Sequence, residues 1–393
     1  MTCVLYTGAF RFPEGDAAAA RVYAVGQLFK SIGCTVAFAG WERAHYKDGY
    51  YRYKDHDCYS QAEFRERELG IVSRLFGFFL RGFKTLKWLR QHRQYDVVVA
   101  YNPPALFSLG LLLSGRVLGF RVVLDCTEWY EGEHLPGGRF GLAAAENWTR
   151  MRLVYPLFRH VICISRLLEH HFSGRNVVNI PPLMIGTYDL KPKPPIAAGV
   201  CFVYAGEAGK KDRLLPFIQA LPEVQKLLQR PLLLRIAGLK WDTLCQLMQT
   251  QGMDPAAYQP FVECLGRIDR ESVRNLYSIS HFSIIFREDK RYARAGFPTK
   301  AVESWSYGCP IITNPVGDLG ALARDMVDTI VVDEISIAKR MPEALREIIA
   351  GDYYPGMSAA SSAKANQIFT PNTYRRAFAT FVEQIELMAS QKS

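Results

Sequence analysis

The chain has 393 residues, 49% apolar and 22% charged, which is enough for about two domains with cores of their own and excludes a disordered chain or a small disulfide-stapled scaffold. Lysine and arginine outnumber aspartate and glutamate 48 to 38, and the resulting +10 (pI near 9.1) calls for an anionic partner without naming it. The nine cysteines are scattered with no Cys-x-x-Cys pair, so they read as reduced thiols rather than bridges or zinc ligands.

Short apolar runs alternate with amphipathic stretches along the whole chain, the pattern of βαβ units and a parallel sheet. The N-terminus has no basic region or cleavable signal pattern and reads as a first strand, Cys3 to Thr7. Further strands are expected at Thr35 to Ala39, Asp96 to Tyr101, Arg121 to Asp125, Val161 to Ile164 and Val177 to Ile180. Ala105 to Gly115, the best apolar run near the N-terminus, is far short of the ~20 residues of a spanning helix, so a cytoplasmic protein is expected. Five prolines between Pro181 and Gly199 interrupt the pattern and mark residues 186–199 as a linker. A second strand series then runs through Val200 to Ala205, Leu232 to Ala237, Phe261 to Val262, Phe282 to Phe286, Pro310 to Thr313 and Thr329 to Val332.

The expected fold class is α/β, with two Rossmann-like domains (1–185 and 200–370) facing each other across a deep cleft. Residues 371–393 are expected as a helix packing across both. In such sheets ligands bind beyond the carboxyl ends of the strands, so the loops there are searched for chemistry.

The loop after the first strand carries Gly15 and Asp16. Either they set a helix N-terminus against an anion or sugar hydroxyl, or Asp16 simply caps the helix. The loop after Val200 to Ala205 reads Gly206-Glu-Ala-Gly-Lys210-Lys211-Asp212. Two glycines allow close backbone approach and two lysines suit a diphosphate, although the spacing is not that of a Walker loop. After Phe282 to Phe286 comes a loop with Arg287, Arg294, Gly296, Phe297, Pro298, Thr299 and Lys300, followed by a short helix bearing Glu303 and ending at Gly308. A carboxylate one turn into that helix can accept both hydroxyls of a ribose.

On the N-terminal side, Asp125 to His134 follows a strand end with acidic and aromatic residues suited to an acceptor, with Glu128 and His134 as candidates against a reading of Trp129 as core. Asp55-His56-Asp57 has the spacing of a metal motif but lies in a polar, tyrosine-rich stretch, so no metal is expected. Residues 64–93 hold eight basic and two acidic side chains, +6 of the total +10. Within them Arg81, Lys84 and Trp88 recur at helical spacing and could meet an anionic membrane surface, the alternative being a helix with a basic solvent side. No nucleic-acid motif accompanies the charge.

Gly15-Asp16, Gly206 with Lys210 and Lys211, and the block Gly296-Phe297-x5-Glu303-x4-Gly308-x-Pro310 together resemble glycosyltransferase family 4, retaining enzymes of the GT-B fold. The resemblance implies sugar transfer from a nucleotide-diphosphate sugar, without metal or cofactor, to a saccharide or lipid-linked acceptor, in bacterial surface polysaccharide or glycoconjugate assembly. It implies that a lysine of the second loop neutralises the diphosphate, that Glu303 holds the ribose, and that the amides around Gly296 and Phe297 touch the sugar or its phosphates. The sequence departs from the family where Ala295 stands in place of a first glutamate, leaving Arg287, Glu288 or Arg294 as substitutes. The alternatives are a nucleotide-sugar 2-epimerase of the same fold and a non-catalytic scaffold.

Overall fold

The computed structural model describes residues 1–13, 15–41, 49–63, 80–186, 188, 190–206 and 211–390, which fall into two units. The first comprises Met1–Leu183, Ala295–Phe297 and Pro371–Ser393. Its sheet has eight strands: β1 (Cys3–Gly8), β2 (Thr35–Gly40), β3 (Tyr50–Tyr53), β4 (His56–Ser60), β5 (Val97–Tyr101), β6 (Arg121–Cys126), β7 (His160–Cys163) and β8 (Asn176–Asn179). They lie in the order β3-β4-β2-β1-β5-β6-β7-β8, parallel throughout except for the β3–β4 hairpin. Buried runs such as Val97 to Ala100 have apolar side chains on both faces, as a sheet covered on both sides requires.

Helices α1 (Ala17–Ser31), α2 (Phe83–Gln91), α3 (Ala105–Leu118), α4 (Leu142–Thr149) and α5 (Arg166–His171) accompany this sheet. In α1, Val22, Val25 and Phe29 are buried at helical spacing. The C-terminal helix Pro371–Ser390 joins the same unit: Phe378 stacks edge-on against Phe29 with ring centroids 4.7 Å apart, and Phe378, Phe381, Val382 and Ile385 complete the core.

The second unit comprises Met184–Arg294 and Pro298–Thr370. Its six strands are β9 (Val200–Ala205), β10 (Leu232–Ala237), β11 (Val262–Gly266), β12 (Phe282–Ile285), β13 (Ile311–Thr313) and β14 (Thr329–Val331), all parallel in the order β11-β10-β9-β12-β13-β14. Helices α6 (Leu215–Leu228), α7 (Trp241–Thr250), α8 (Arg270–Ile279), α9 (Arg291–Ala295), α10 (Thr299–Ser306), α11 (Gly317–Leu322), α12 (Ile337–Ala350) and α13 (Tyr354–Ile368) intervene or follow. Residues expected as a free linker are tied down here. Lys193 Nζ donates to the carbonyls of Tyr277 (2.7 Å) and Ser280 (2.8 Å) at the end of α8, where a cation satisfies unpaired oxygens.

Every expected strand is present, and the sequence pattern overlooked β3 and β4. They form a hairpin at the margin of the sheet, with β3 at the edge, in which the apolar alternation is broken by charged groups. The Asp55-His56-Asp57 segment lies at this hairpin with its side chains engaged: His56 is buried, with Nδ1 2.9 Å from Val36 O and Nε2 2.9 Å from Gln27 Nε2. Asp57 accepts from Tyr50 (2.9 Å) and Asp55 pairs with Lys30.

Arg81, Lys84 and Trp88, the residues expected at a membrane surface, each have a placement in the first unit. Arg81 precedes α2 and is partly buried, its pKa lowered by burial against the opposing pull of Glu63 and Glu146. Trp88 stacks on His92 at 3.9 Å and packs on Tyr59 at 4.8 Å, so its ring is taken up within the unit. Lys84 is exposed and donates to Ala62 O at 3.0 Å. The rest of the basic segment, 64–79, lies outside the described residues. No helix among the described residues is long and apolar enough to cross a membrane.

Because Phe378 fills the space over Phe29, Phe378→Ala should destabilise the protein by about 3–5 kcal/mol, read as a lower urea midpoint with unchanged slope.

Candidate functional site

The second unit gathers its charged and glycine residues at the carboxyl ends of β9, β10 and β12. Gly206 follows β9 at φ +148°, and a Cβ there would stand 2.7 Å from Lys300 Nζ. Gly238 follows β10 at φ +107°, and its Cβ would meet Gly206 O at 2.5 Å. Only glycine allows two strand ends to turn this closely beside a lysine head.

Asp212 is the centre of the cluster. Its carboxylate receives Lys300 Nζ (2.5 Å), Arg287 Nε (3.0 Å) and Tyr204 OH (2.9 Å), and the Lys300 ammonium also lies 4.2 Å from the Tyr204 ring centroid. Burial alone would raise the Asp212 carboxyl, but Lys300 and then Arg287 outweigh it and hold the pKa at about 2. The Arg287 loop is fixed by Asn314, whose side chain accepts from Arg287 N (3.0 Å) and donates to Arg287 O (2.6 Å). Two cations are thereby aimed from different elements at one anionic centre.

Glu303 lies one turn beyond Lys300 on the same face of α10. No hydrogen bond reaches its carboxylate among the described residues, and burial raises its pKa against the pull of Arg270, Lys300 and Arg274. Tyr188 and Tyr307 stand beside it, packed edge to face with centroids 5.0 Å apart, and Glu303 helps raise both phenols, secondary to burial for each. An unpaired carboxylate between aromatic rings and two arginines can accept paired hydroxyls. The N-terminus of α10 has Pro298 at the cap position, and no side chain caps it. Thr299 opens the helix.

Other expected donor residues are placed differently. Lys211 is exposed, and its carbonyl accepts from Tyr292 OH (3.0 Å); Lys210 lies outside the described residues. Arg294 is turned to solvent in a two-bond pair with Asp289 (2.6 and 2.5 Å), so it is not gathered with Arg287. Ala295 is fully buried, and Gly296 and Phe297 fall with the first unit. The sequence reading missed Asp212, Tyr204, Gly238, Arg270 and Arg274 as site residues. The signal for Gly238 was available, since Ala205-Gly206 and Ala237-Gly238 end two strands with the same dipeptide.

In the first unit, Asp125 at the end of β6 is fully buried and chelated by Arg21 from α1, with Nη2 to Oδ1 at 2.8 Å and Nε to Oδ2 at 3.1 Å. Tyr6 OH donates to Asp125 Oδ2 (2.5 Å) and Arg21 Nη1 to Ile180 O (2.8 Å). Burial, then Asp125, raises the Tyr6 phenol well above its ordinary value. Gly15 and Asp16 belong to the turn before α1: Asp16 accepts from Ala19 N (2.8 Å) and Arg11 N (3.2 Å), the capping alternative, and Gly15 N donates to Arg11 O (2.9 Å).

Glu128 stands beside Tyr101 and Tyr130, adding to burial in raising both phenols, while His134 faces Glu131 at 3.5 Å on a 3-10 turn. Trp129 is buried against His171 (4.3 Å between centroids), a core placement.

Residues 199–350 match the family model Glycosyl transferases group 1. The fold is similar to that of sucrose-phosphate synthase from Thermosynechococcus elongatus, with a TM-score of 0.71 and 13% identity over 100% of both chains. It is also similar to HepE from Anabaena in complex with UDP-glucose (TM-score 0.63, 12% identity, 98% of this chain and 100% of that one). A third similarity is to WaaG, a glycosyltransferase involved in lipopolysaccharide biosynthesis (TM-score 0.64, 12% identity, 95% and 98%). No curated protein sequence matches the chain. The two-sheet fold is therefore GT-B, and with the family match these findings support a GT-B glycosyltransferase.

The Asp212 pair supplies a pH test. Its pKa lies below the ordinary value, so its stabilisation is complete above about pH 4 and lost as the pH falls through about 2. Asp212→Asn, which leaves Lys300 and Arg287 uncompensated, should lose about 3–5 kcal/mol at neutral pH in urea titrations, with the difference from wild type closing towards pH 2.

Proposed function

We propose that the protein is a retaining glycosyltransferase that moves a sugar from a nucleotide-diphosphate sugar to a saccharide or lipid-linked acceptor in bacterial surface polysaccharide or glycoconjugate assembly. The observation that carries this reading is the arrangement on α10: a lysine and, one turn on, a carboxylate without a hydrogen-bond partner among the described residues, with Arg287 on the same anionic centre as the lysine. The family match over 199–350 covers this cluster, and the similar HepE structure holds UDP-glucose.

In this reading Glu303 accepts the two ribose hydroxyls, with Tyr188 and Tyr307 as aromatic walls near the base. Lys300 and Arg287 stabilise the diphosphate as it leaves, helped by the uncapped N-terminus of α10 and, from the second loop, Lys210 and Lys211. Breaking the anomeric C–O bond leaves an oxocarbenium-like sugar and places negative charge on the diphosphate. Prealigned cations therefore stabilise the transition state more than the ground state. Such stabilisation is supplied by side chains and helix amides, without metal or cofactor. Asp212 keeps the two cations in register before the donor arrives. Glu128 and His134 are acceptor-side groups in this reading, and Thr299 and Gly206 bring backbone close to the phosphates.

A panel of UDP-, GDP-, ADP- and dTDP-sugars tests the reading by thermal shift and by slow hydrolysis of the donor. Stabilisation by one nucleotide sugar together with hydrolysis or transfer is expected, and binding without turnover under any acceptor would favour the non-catalytic alternative. Glu303→Gln should reduce kcat/KM about 10- to 100-fold, the worth of hydrogen bonds to a charged group. The same change should raise Tm by about 2–4 °C at neutral pH, because it removes a desolvated carboxylate that accepts no hydrogen bond among the described residues. With its folded pKa raised, Glu303 costs stability as the pH rises and it ionises, so the gain in Tm should shrink below about pH 4. Lys300→Ala should lower kcat by about 100-fold or more in initial-rate assays, while a change confined to KM would remove Lys300 from the leaving-group role.

A further inference from the structure

Tyr204, the last large residue of β9, is buried, and the core beneath it does not call for a hydroxyl. Phe202, two residues earlier on the same face of the strand, fills that core with an apolar ring against Phe217 and Phe282. The Tyr204 hydroxyl instead donates to Asp212 Oδ2 at 2.9 Å, the same oxygen that receives Lys300 Nζ at 2.5 Å. Its ring lies 4.2 Å from that ammonium. One side chain thus meets both members of the ion pair.

The lysine's own bonds show what this contact does. An ammonium carries three N–H groups, and among the described residues Lys300 Nζ makes one hydrogen bond, to Asp212. A π face takes a second side of the cation without neutralising it. Lys300 and Arg287 together bring two positive charges to the one carboxylate of Asp212, so one positive charge remains. A second acid in place of Tyr204 would cancel it. The space beside Nζ at Gly206 holds no side chain, and a Cβ there would stand 2.7 Å from Nζ and 3.5 Å from the Tyr204 hydroxyl.

We infer that Tyr204 is a positioning residue for Lys300: its ring seats the ammonium, its hydroxyl fixes the shared Asp212 oxygen, and an N–H is left aimed at the diphosphate. This deepens the proposed sugar transfer and rests on that reading. Burial lowers the Lys300 pKa and Asp212 opposes it, so a seat that favours the charged form adds to the pull of Asp212.

The test is NMR on the full chain with lysines labelled at Cε, the Lys300 signal being the one lost in Lys300→Arg. In the wild type this signal should lie upfield of ordinary lysines through the ring current of Tyr204, and inorganic pyrophosphate should move it. Tyr204→Leu should remove the upfield displacement, lower the titration midpoint of Lys300 and weaken pyrophosphate about tenfold. Tyr204→Phe keeps the ring, so it should keep the displacement and the midpoint and bind pyrophosphate more tightly than the leucine variant. Tyr204→Met, longer than leucine, replaces that variant if its circular dichroism shows it unfolded. A wild-type Lys300 signal at the ordinary lysine position would overturn the inference, as would a midpoint that both variants leave unchanged. Pyrophosphate that fails to move the wild-type signal would instead remove the diphosphate reading of the site. Equal affinity in wild type and Tyr204→Leu would remove the role of Tyr204 alone.

Discussion

One buried carboxylate organises the second unit's charged centre. Asp212 draws a lysine from α10, an arginine from the loop after β12 and a tyrosine from β9 onto two oxygen atoms. In a low-dielectric setting none of these charges is tolerable alone, so the three elements are tied in register by the penalty for leaving any one unpaired. Gly206 follows from the same constraint, because the lysine head occupies the space that a side chain there would need, and Gly238 follows in turn because its own side chain would meet the Gly206 backbone. Glu303 inherits its position from Lys300, one turn earlier on the helix.

The first unit repeats the device with different residues. Arg21 and Tyr6 close on Asp125, joining α1, β1 and β6 beneath the loops that hold Glu128 and His134. Here the arginine satisfies both carboxylate oxygens and also reaches a backbone carbonyl, so the buried charge is fully used within the fold. The contrast is informative. Asp125 is closed by Arg21 and Tyr6, while Glu303, part-buried, accepts no hydrogen bond among the described residues, and such an acid is the more telling sign of a ligand.

The positive charge of the chain serves several ends. Arg287 and Lys300 are held by an internal anion, and Lys193 caps the end of α8. Arg81, which the sequence alone suggested for a surface, is drawn inward towards Glu63 and Glu146.

Periodicity and composition determined the two parallel sheets, because strands buried on both faces must be continuous apolar runs and helices between them must be amphipathic. They also directed the search to the loops at strand ends, where loop composition singled out Gly206 and Lys300 and a short motif singled out Glu303. The hairpin of β3 and β4 escaped because strands at the margin of a sheet need not be apolar, and Asp212 escaped because a lone aspartate after two lysines has the look of an ordinary solvated helix start. Tertiary structure alone decided which cations converge: Lys300 and Arg287 meet at Asp212 while Arg294 turns to Asp289, although all three come from one stretch of sequence. It likewise gave the last helix to the first unit. Sequence spacing fixes what neighbours along a strand or helix can do, whereas pairing of buried charge and apolar surface depends on distance in space.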